Sequence, residues 1–334
     1  MRVIEFRDFA NRVGIAELVA PVERALISYS KGHVSAAPAE LFELPEGEVH
    51  VKAAVVQDAP LWSVKVSASV PTNAAQGIPP AHSTVTLFDV ATGRPVALIV
   101  DDGGLLTGLR TAAAGAVAAR LLAPATETLL VVGTGLQARL QAQAFMHERP
   151  FERLLVWGRD YTRAAHAVRD LQQILPGVEI EIAAELKGAI AQAQSVVTAS
   201  ASDQPLIHGR WLHAGQHVTA IGADTVGKRE LDDDTLRRAD RLYVDSLAHN
   251  LQVGDLAAAI SHGAVGAETV TGELGMLADQ PIARKRDEIT VAKLVGVGVQ
   301  DLAAATTVLD IVASIDSCTS GQVKAQRAGS ARQR

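Results

Sequence analysis

"LLVVGTGLQARLQAQAF", residues 129–145, decides how this chain is read. Four apolar residues run into Gly133, Thr134 and Gly135, and helix-forming residues follow from Leu136. This is the order strand, tight turn, helix, with the spacing G-x-G-x-x-A of a dinucleotide-binding loop. Gly133 and Gly135 let the backbone turn sharply and approach a pyrophosphate, and Ala138 replaces the third glycine where helix meets strand. The loop from Gly133 and Thr134 through Leu136, Gln137 and Ala138 is the candidate cofactor site, facing the positive end of the following helix. A strand-to-helix turn without ligand is the competing reading. The setting, at the opening of a βαβ unit, argues against it.

Downstream of the loop, strand-like segments at 128–132, 153–158, 178–183, 195–200, 217–222 and 241–246 alternate with helix-like stretches. That alternation predicts an α/β fold, a Rossmann-type doubly wound parallel sheet, over residues 123–300. Upstream, the spacing predicts a helix over 16–30, then strands near 40, 48, 61, 82 and 94 that alternate polar and apolar residues. "DVATGRP" joins the last two as a hairpin turn. This half reads as a second, α+β domain built on a mostly antiparallel sheet. Alanine-rich "LLTGLRTAAAGAVAARLL" (105–122) predicts a long helix closed by Pro124, and a final helix from 299 is expected to pack back on residues 1–122. The domains are accordingly placed at 1–122 with 301–317, and at 123–300, with 318–334 a disordered tail.

The second parallel strand ends "VWGRD", so Gly158 and Arg159 stand where an NAD-selective site places a carboxylate for the ribose hydroxyls. A guanidinium there favours a 2′-phosphate, and hence NADPH over NADH. The competing reading makes Arg159 a solvated charge and gives the ribose to Asp160.

Arg110 lies on a helix that otherwise reads as buried, where a cation needs an anionic partner. Lys65 and Lys52 raise the same question on neighbouring strands. One such residue is usually a solvated edge; three in the same half suggest an anion site. Asp224 and Lys228, in "TAIGADTVGKREL" (219–231), follow a parallel strand where open α/β sheets place ligands. Asp224 is read as an acid or base, or else a helix cap, and Lys228 as reaching cofactor or a carboxylate.

Other classes find less support. The chain has 334 residues, a net charge of −6 and interspersed charges, so no broad basic surface suggests nucleic acid. Cys318 is the single cysteine, and His208, His213 and His217 lack a zinc-site pattern, so no metal is expected. The first residues are too charged for a signal peptide and no apolar run is read as a membrane span, so a soluble, cytoplasmic protein is expected.

Taken together, "SVKVSASVPTNAAQGIP", "HSTVTLFDVATGRPVALI", "LTGLRTAAAGAVAARLLA", "VVGTGLQARLQAQAF", "VWGR", "TAIGADTVGKREL" and "VGVGVQDLAAA" resemble the ornithine cyclodeaminase/mu-crystallin family, in the family order over most of residues 50–310. The resemblance implies a dinucleotide domain joined to a substrate domain that also forms a homodimer. It implies that Lys65, Thr84 and Arg110 hold a substrate carboxylate, with Asp224 near the reacting nitrogen. Two departures stand out. The ornithine enzyme's upstream arginine has no counterpart in "SAAPAELFELP", leaving Lys52 as its candidate replacement, and the acid after the second strand is absent. Both point away from ornithine cyclodeamination. The leading expectation is reduction of Δ1-pyrroline-2-carboxylate or Δ1-piperideine-2-carboxylate to L-proline or L-pipecolate. Its rivals are an ornithine or lysine cyclodeaminase with bound NAD, an alanine dehydrogenase or open-chain imine reductase, and a non-catalytic NADPH-binding protein.

Overall fold

Alternating and continuous apolar segments separate into two sheets. The computed structural model describes residues 1–36 and 39–331, with side chains described as far as residue 315. The expected tail at 318–334 lies outside the residues whose side chains are described.

The first sheet contains β1 (Arg2–Ile4), β2 (Val34–Ser35), β3 (Glu40–Leu44), β4 (Gly47–Val56), β5 (Leu61–Ser69), β6 (Ala81–Asp89) and β7 (Pro95–Asp102). Its order is β1-β7-β6-β5-β4-β2, with β3 also on β4; only β1 pairs in parallel. Residues of even and odd number face opposite sides. Lys52, Lys65, Val85 and Ile99 stand in register on one face. Helices α1 (Phe6–Phe9), α2 (Ile15–Ser30), with Pro21 inside it, and α3 (Leu105–Leu122) belong to this half. The last helix, Gly298–Ala331, packs on α2 and against β4, β5 and β6, as the sequence suggested.

The second sheet is parallel throughout, in the order β10-β9-β8-β11-β12-β15-β13-β14. Its strands are β8 (Thr128–Val132), β9 (Arg153–Trp157), β10 (Glu179–Ile182), β11 (Ser195–Thr198), β12 (His217–Ala220), β13 (Arg241–Val244), β14 (Gly272–Glu273) and β15 (Thr290–Lys293). The Rossmann-type fold class is therefore the observed one. β15, which ends on a lysine, was not anticipated, although it runs between β12 and β13.

α3 joins the two halves, touching α2, the last helix and α4 (Leu136–Glu148), which follows the glycine loop. Its small residues permit close contact: a Cβ at Gly115 would lie 2.0 Å from Gln141 Oε1 on α4. Against the sequence reading, α3 and residues 298–315 do have the length and hydropathy of a membrane span. α3 spends that apolar surface inside the protein, with thirteen of its eighteen residues buried.

His217 on β12 is fully buried, its ring nitrogens shared with the hydroxyls of Thr290 (2.9 Å) and Thr219 (2.8 Å). Burial, then the charge of Arg284, pushes its pKa down to about 3. The folded state therefore binds no proton where the unfolded chain does, and stability falls as pH drops from about 6.5 toward 3. Urea titrations at pH 7 and pH 5 should show a smaller loss for His217→Gln than for the wild type; equal losses would contradict this assignment.

Candidate active site

The turn after β8 is built to receive an anion. Gly133 has φ +141°, and a Cβ there would sit 2.4 Å from the Ala199 carbonyl oxygen, so only glycine lets the β8 and β11 loops come this close. Gly135 caps α4 with open space before it, and no side chain caps the helix. The amides of its first turn, from Leu136 through Ala138, have no acceptor within the helix, which is the arrangement that a pyrophosphate requires. Thr134 packs on Gly158, where a Cβ would meet its methyl at 2.4 Å. These features fit a dinucleotide.

Beyond β9, Arg159 is exposed and has no ion-pair partner among the described residues. Asp160 instead caps the helix Tyr161–Ile174, accepting from the Arg163 amide at 3.1 Å.

A cleft of about 450 Å³ runs between the sheets, lined by Gly135, Leu136, Gln137, Ser200, Gly222, Asp224 and Lys228 from one side and by β4–β6 and the start of α3 from the other. A recess of about 170 Å³ adjoins it, sharing Thr107, Gln137, Ile221 and Asp224 and adding Lys52, Arg110, Asp245 and Gln300. Lys52, Arg110 and Asp224 are thus brought to one recess from three distant segments.

Arg110 and Lys65 already have an anionic partner in the protein. Asp301, on the last helix, accepts from Arg110 Nε at 2.9 Å and from Lys65 Nζ at 3.0 Å through the same oxygen. Arg110 Nη1 donates to Gln300 Oε1 at 2.9 Å. The arginine is not thereby used up: Nη2 has no partner among the described residues, and the side chain still lines the recess. Three orphaned polar atoms surround this place, Asp301 Oδ2, Gln300 Nε2 and Gln137 Oε1. Three cations lie near this acid, and Lys52 is also drawn by Asp224 and Asp245. Burial, then Arg110, depresses the Lys52 pKa; burial, with Arg110 and Lys52, lowers that of Lys65 to about 8 against the pull of Asp301. Burial pushes Asp301 the other way, but Arg110 and Lys65 outweigh it and keep the carboxyl below its usual range.

Asp224 stands at the junction of cleft and recess. No helix begins there, so it is not a cap. Lys228 Nζ binds it at 2.9 Å and lies 3.6 Å from Glu48 Oε1 on β4, linking the two halves across the cleft. Burial acts to raise the Asp224 pKa, but Lys228 and Lys52 outweigh it and hold the group ionised. Lys228, read from sequence as reaching cofactor or a carboxylate, is engaged with these carboxylates.

Two expectations are corrected. Thr84 pairs with Val66 and Val100, so it faces the side of the sheet opposite Lys65 and lines a separate surface concavity; Ser83, one residue earlier, reaches the cleft. Lys65 is 2% exposed and lines neither cleft nor recess, being enclosed against Asp301. Lys52 does line the recess, donating to the Gly296 carbonyl at 2.9 Å. Asp301, Gln300 and Glu48 were missed as site residues. A lone acid in the otherwise apolar "VQDLAAA" was the available signal for Asp301.

With this geometry in view, comparison with known proteins places the chain. The model of the ornithine cyclodeaminase/mu-crystallin family matches residues 3–315. The chain belongs to the ornithine cyclodeaminase/mu-crystallin family. Its relatives in that family include the Δ1-pyrroline-2-carboxylate reductase of Paracoccus denitrificans, 39% identical over 72% of this chain and 76% of that one. The Thermococcus litoralis Δ1-pyrroline-2-carboxylate reductase, solved with NADH and L-proline, superposes with a TM-score of 0.88 at 25% identity, covering 95% of this chain and 98% of the other. The iminosuccinate reductase of P. denitrificans, solved with NAD+, gives 0.84 at 30% identity over 95% and 97%.

The Asp301 bridge generates a stability prediction. Removing one partner of a buried ionic group typically costs about 3–5 kcal/mol. Asp301→Ala, leaving two buried cations face to face, should lose that much in urea unfolding; a loss below about 1 kcal/mol would show that the bridge is not structural.

Proposed function

We propose that this family member is an NADPH-dependent reductase of cyclic imino acids, converting Δ1-pyrroline-2-carboxylate or Δ1-piperideine-2-carboxylate to the saturated L-amino acid. One observation carries the reading: a cationic edge on Arg110 and an ionised acid, Asp224, line one recess that opens onto a dinucleotide-type cleft. Relatives named as imine reductases support the reaction class.

The free edge of Arg110 and the unpaired Gln300 Nε2 would take the substrate carboxylate, with Lys52 adding charge from β4. Fixing that end orients the ring, and orientation supplies much of the rate. Asp224, ionised, favours the protonated nitrogen and so the more electrophilic carbon. A bound dinucleotide would supply the hydride, and the nitrogen's proton comes from solvent by way of the Asp224 side of the recess. Arg159, exposed and unpaired, is suited to a 2′-phosphate. Nothing in the recess favours ornithine in particular.

The outer face of the first sheet exposes Val55 and Val66, and β3 exposes Leu41, Phe42 and Leu44. An uncovered apolar face of this kind fits a second copy of the chain. Sedimentation at micromolar concentration should give twice the monomer mass; a monomer would contradict this part of the proposal.

Kinetics test the chemistry. Arg110→Ala should lower kcat/KM for the imino acid by about 10- to 100-fold, the loss of a charged hydrogen-bond partner, while NADPH affinity changes little. Asp224→Asn should lower kcat by about 100-fold or more. Wild-type kinetics in either variant, or ammonia release from ornithine with no imine reduced by the wild type, would defeat the reading.

A further inference from the structure

Beneath the cleft lies a carboxylate that the proposed chemistry does not use. Glu230 is fully buried and accepts four hydrogen bonds. One oxygen takes the Ser200 amide (2.6 Å) and hydroxyl (2.7 Å); the other takes the Thr198 hydroxyl (2.7 Å) and the Gly222 amide (2.7 Å). It therefore staples the carboxyl ends of β11 and β12 to each other. The fit leaves no slack, for a Cβ at Gly222 would lie 2.0 Å from the Ser200 oxygen and 2.6 Å from Glu230 itself.

Glu230 is in turn held from below. Asp255 Oδ1 accepts from the amides of Glu230 (2.7 Å) and Leu231 (2.8 Å). Lys293, at the end of β15, lies 3.6 Å from Asp255 and donates to the Ala223 carbonyl at 2.7 Å. Each residue from Gly222 to Asp224 is thus tied by a charged side chain: Gly222 by Glu230, Ala223 by Lys293 and Asp224 by Lys228. Burial and Asp255 push the Glu230 pKa up, while the bonds from Thr198 and Ser200 work against the shift. Two acids kept together in an apolar interior at this cost suggest more than packing.

Ser200 and Gly222 line the cleft on the β11–β12 side, whereas Arg159 follows β9, two strands away across β8. In a doubly wound sheet the two halves of a dinucleotide lie on the two sides of the switch point. We propose that Glu230 is a positioning residue for the nicotinamide half of the cofactor, fixing the Ser200 and Gly222 backbone that supports it and leaving the adenosine half untouched. The inference rests on the dinucleotide reading of the cleft, but not on the identity of the imine.

Glu230→Gln tests it sharply, because each carboxylate oxygen faces a backbone N–H and either orientation of the amide sets an NH2 group against one of them. Binding to the full-length protein is measured by calorimetry with NADPH and with 2′-phospho-ADP-ribose, which lacks the nicotinamide. NADPH should bind about tenfold more weakly while the truncated ligand binds as to wild type. Thr198→Val, which removes one of the four bonds, should shift NADPH alone by a few-fold, and it decides the matter if Glu230→Gln does not fold. Equal weakening of both ligands, or no weakening of NADPH, would overturn the proposal. Should wild type bind NADPH yet reduce no imine, the function proposed above fails while this inference stands or falls on the binding ratios.

Discussion

Asp301 reaches across from the last helix to Arg110 on α3 and Lys65 on β5, and these three segments converge because one carboxylate must answer two cations. Lys52 and Lys65 are directly opposed across β4 and β5, an arrangement that repels unless an anion is near. Asp301 answers Arg110 and Lys65, and Lys52 is drawn besides by Asp224 and Asp245. The arginine keeps one edge open at the recess wall, so the same interaction that ties the last helix to the first sheet aims hydrogen-bond donors at a ligand there.

The second half of the molecule contributes position through its backbone. Strands β8, β11 and β12 end together, and the loops after them are drawn close by glycines that no larger residue replaces without collision. The start of α4 lines one part of the cleft, and Asp224 lines another. Glu48 and Lys228 then span the gap between the two sheets. Charge supplied by the antiparallel sheet and geometry supplied by the parallel one meet at this seam.

Much of this was legible in the chain. The glycine loop, the continuous apolar strands and the alanine-rich helix each declare themselves locally, through period and turn chemistry. Arg110 and Lys52 could be singled out because a cation among apolar neighbours demands a partner. What could not be read was the partner: Asp301 lies 191 residues from Arg110 and 236 from Lys65. Thr84 was carried over from the family resemblance alone, and the pairing of β5 with β6 sets it on the face of the sheet opposite Lys65. β15, Thr290–Lys293, was not anticipated, although its length is that of strands the sequence did reveal. Glu230 sits in a charged run, "KREL", that resembles a solvated turn until the fold wraps Asp255 and Ser200 around it.

The account stands on the open edge of Arg110 in the recess. Its most direct measurement is calorimetric: with the protein saturated by NADPH, the affinities of pyrrole-2-carboxylate and of the isosteric, uncharged pyrrole-2-carboxamide are compared. The carboxylate should bind at least about tenfold more tightly, the difference expected for a hydrogen bond with charge on both partners. Equal affinities would show that Asp301 has already satisfied the site and that no carboxylate is held there.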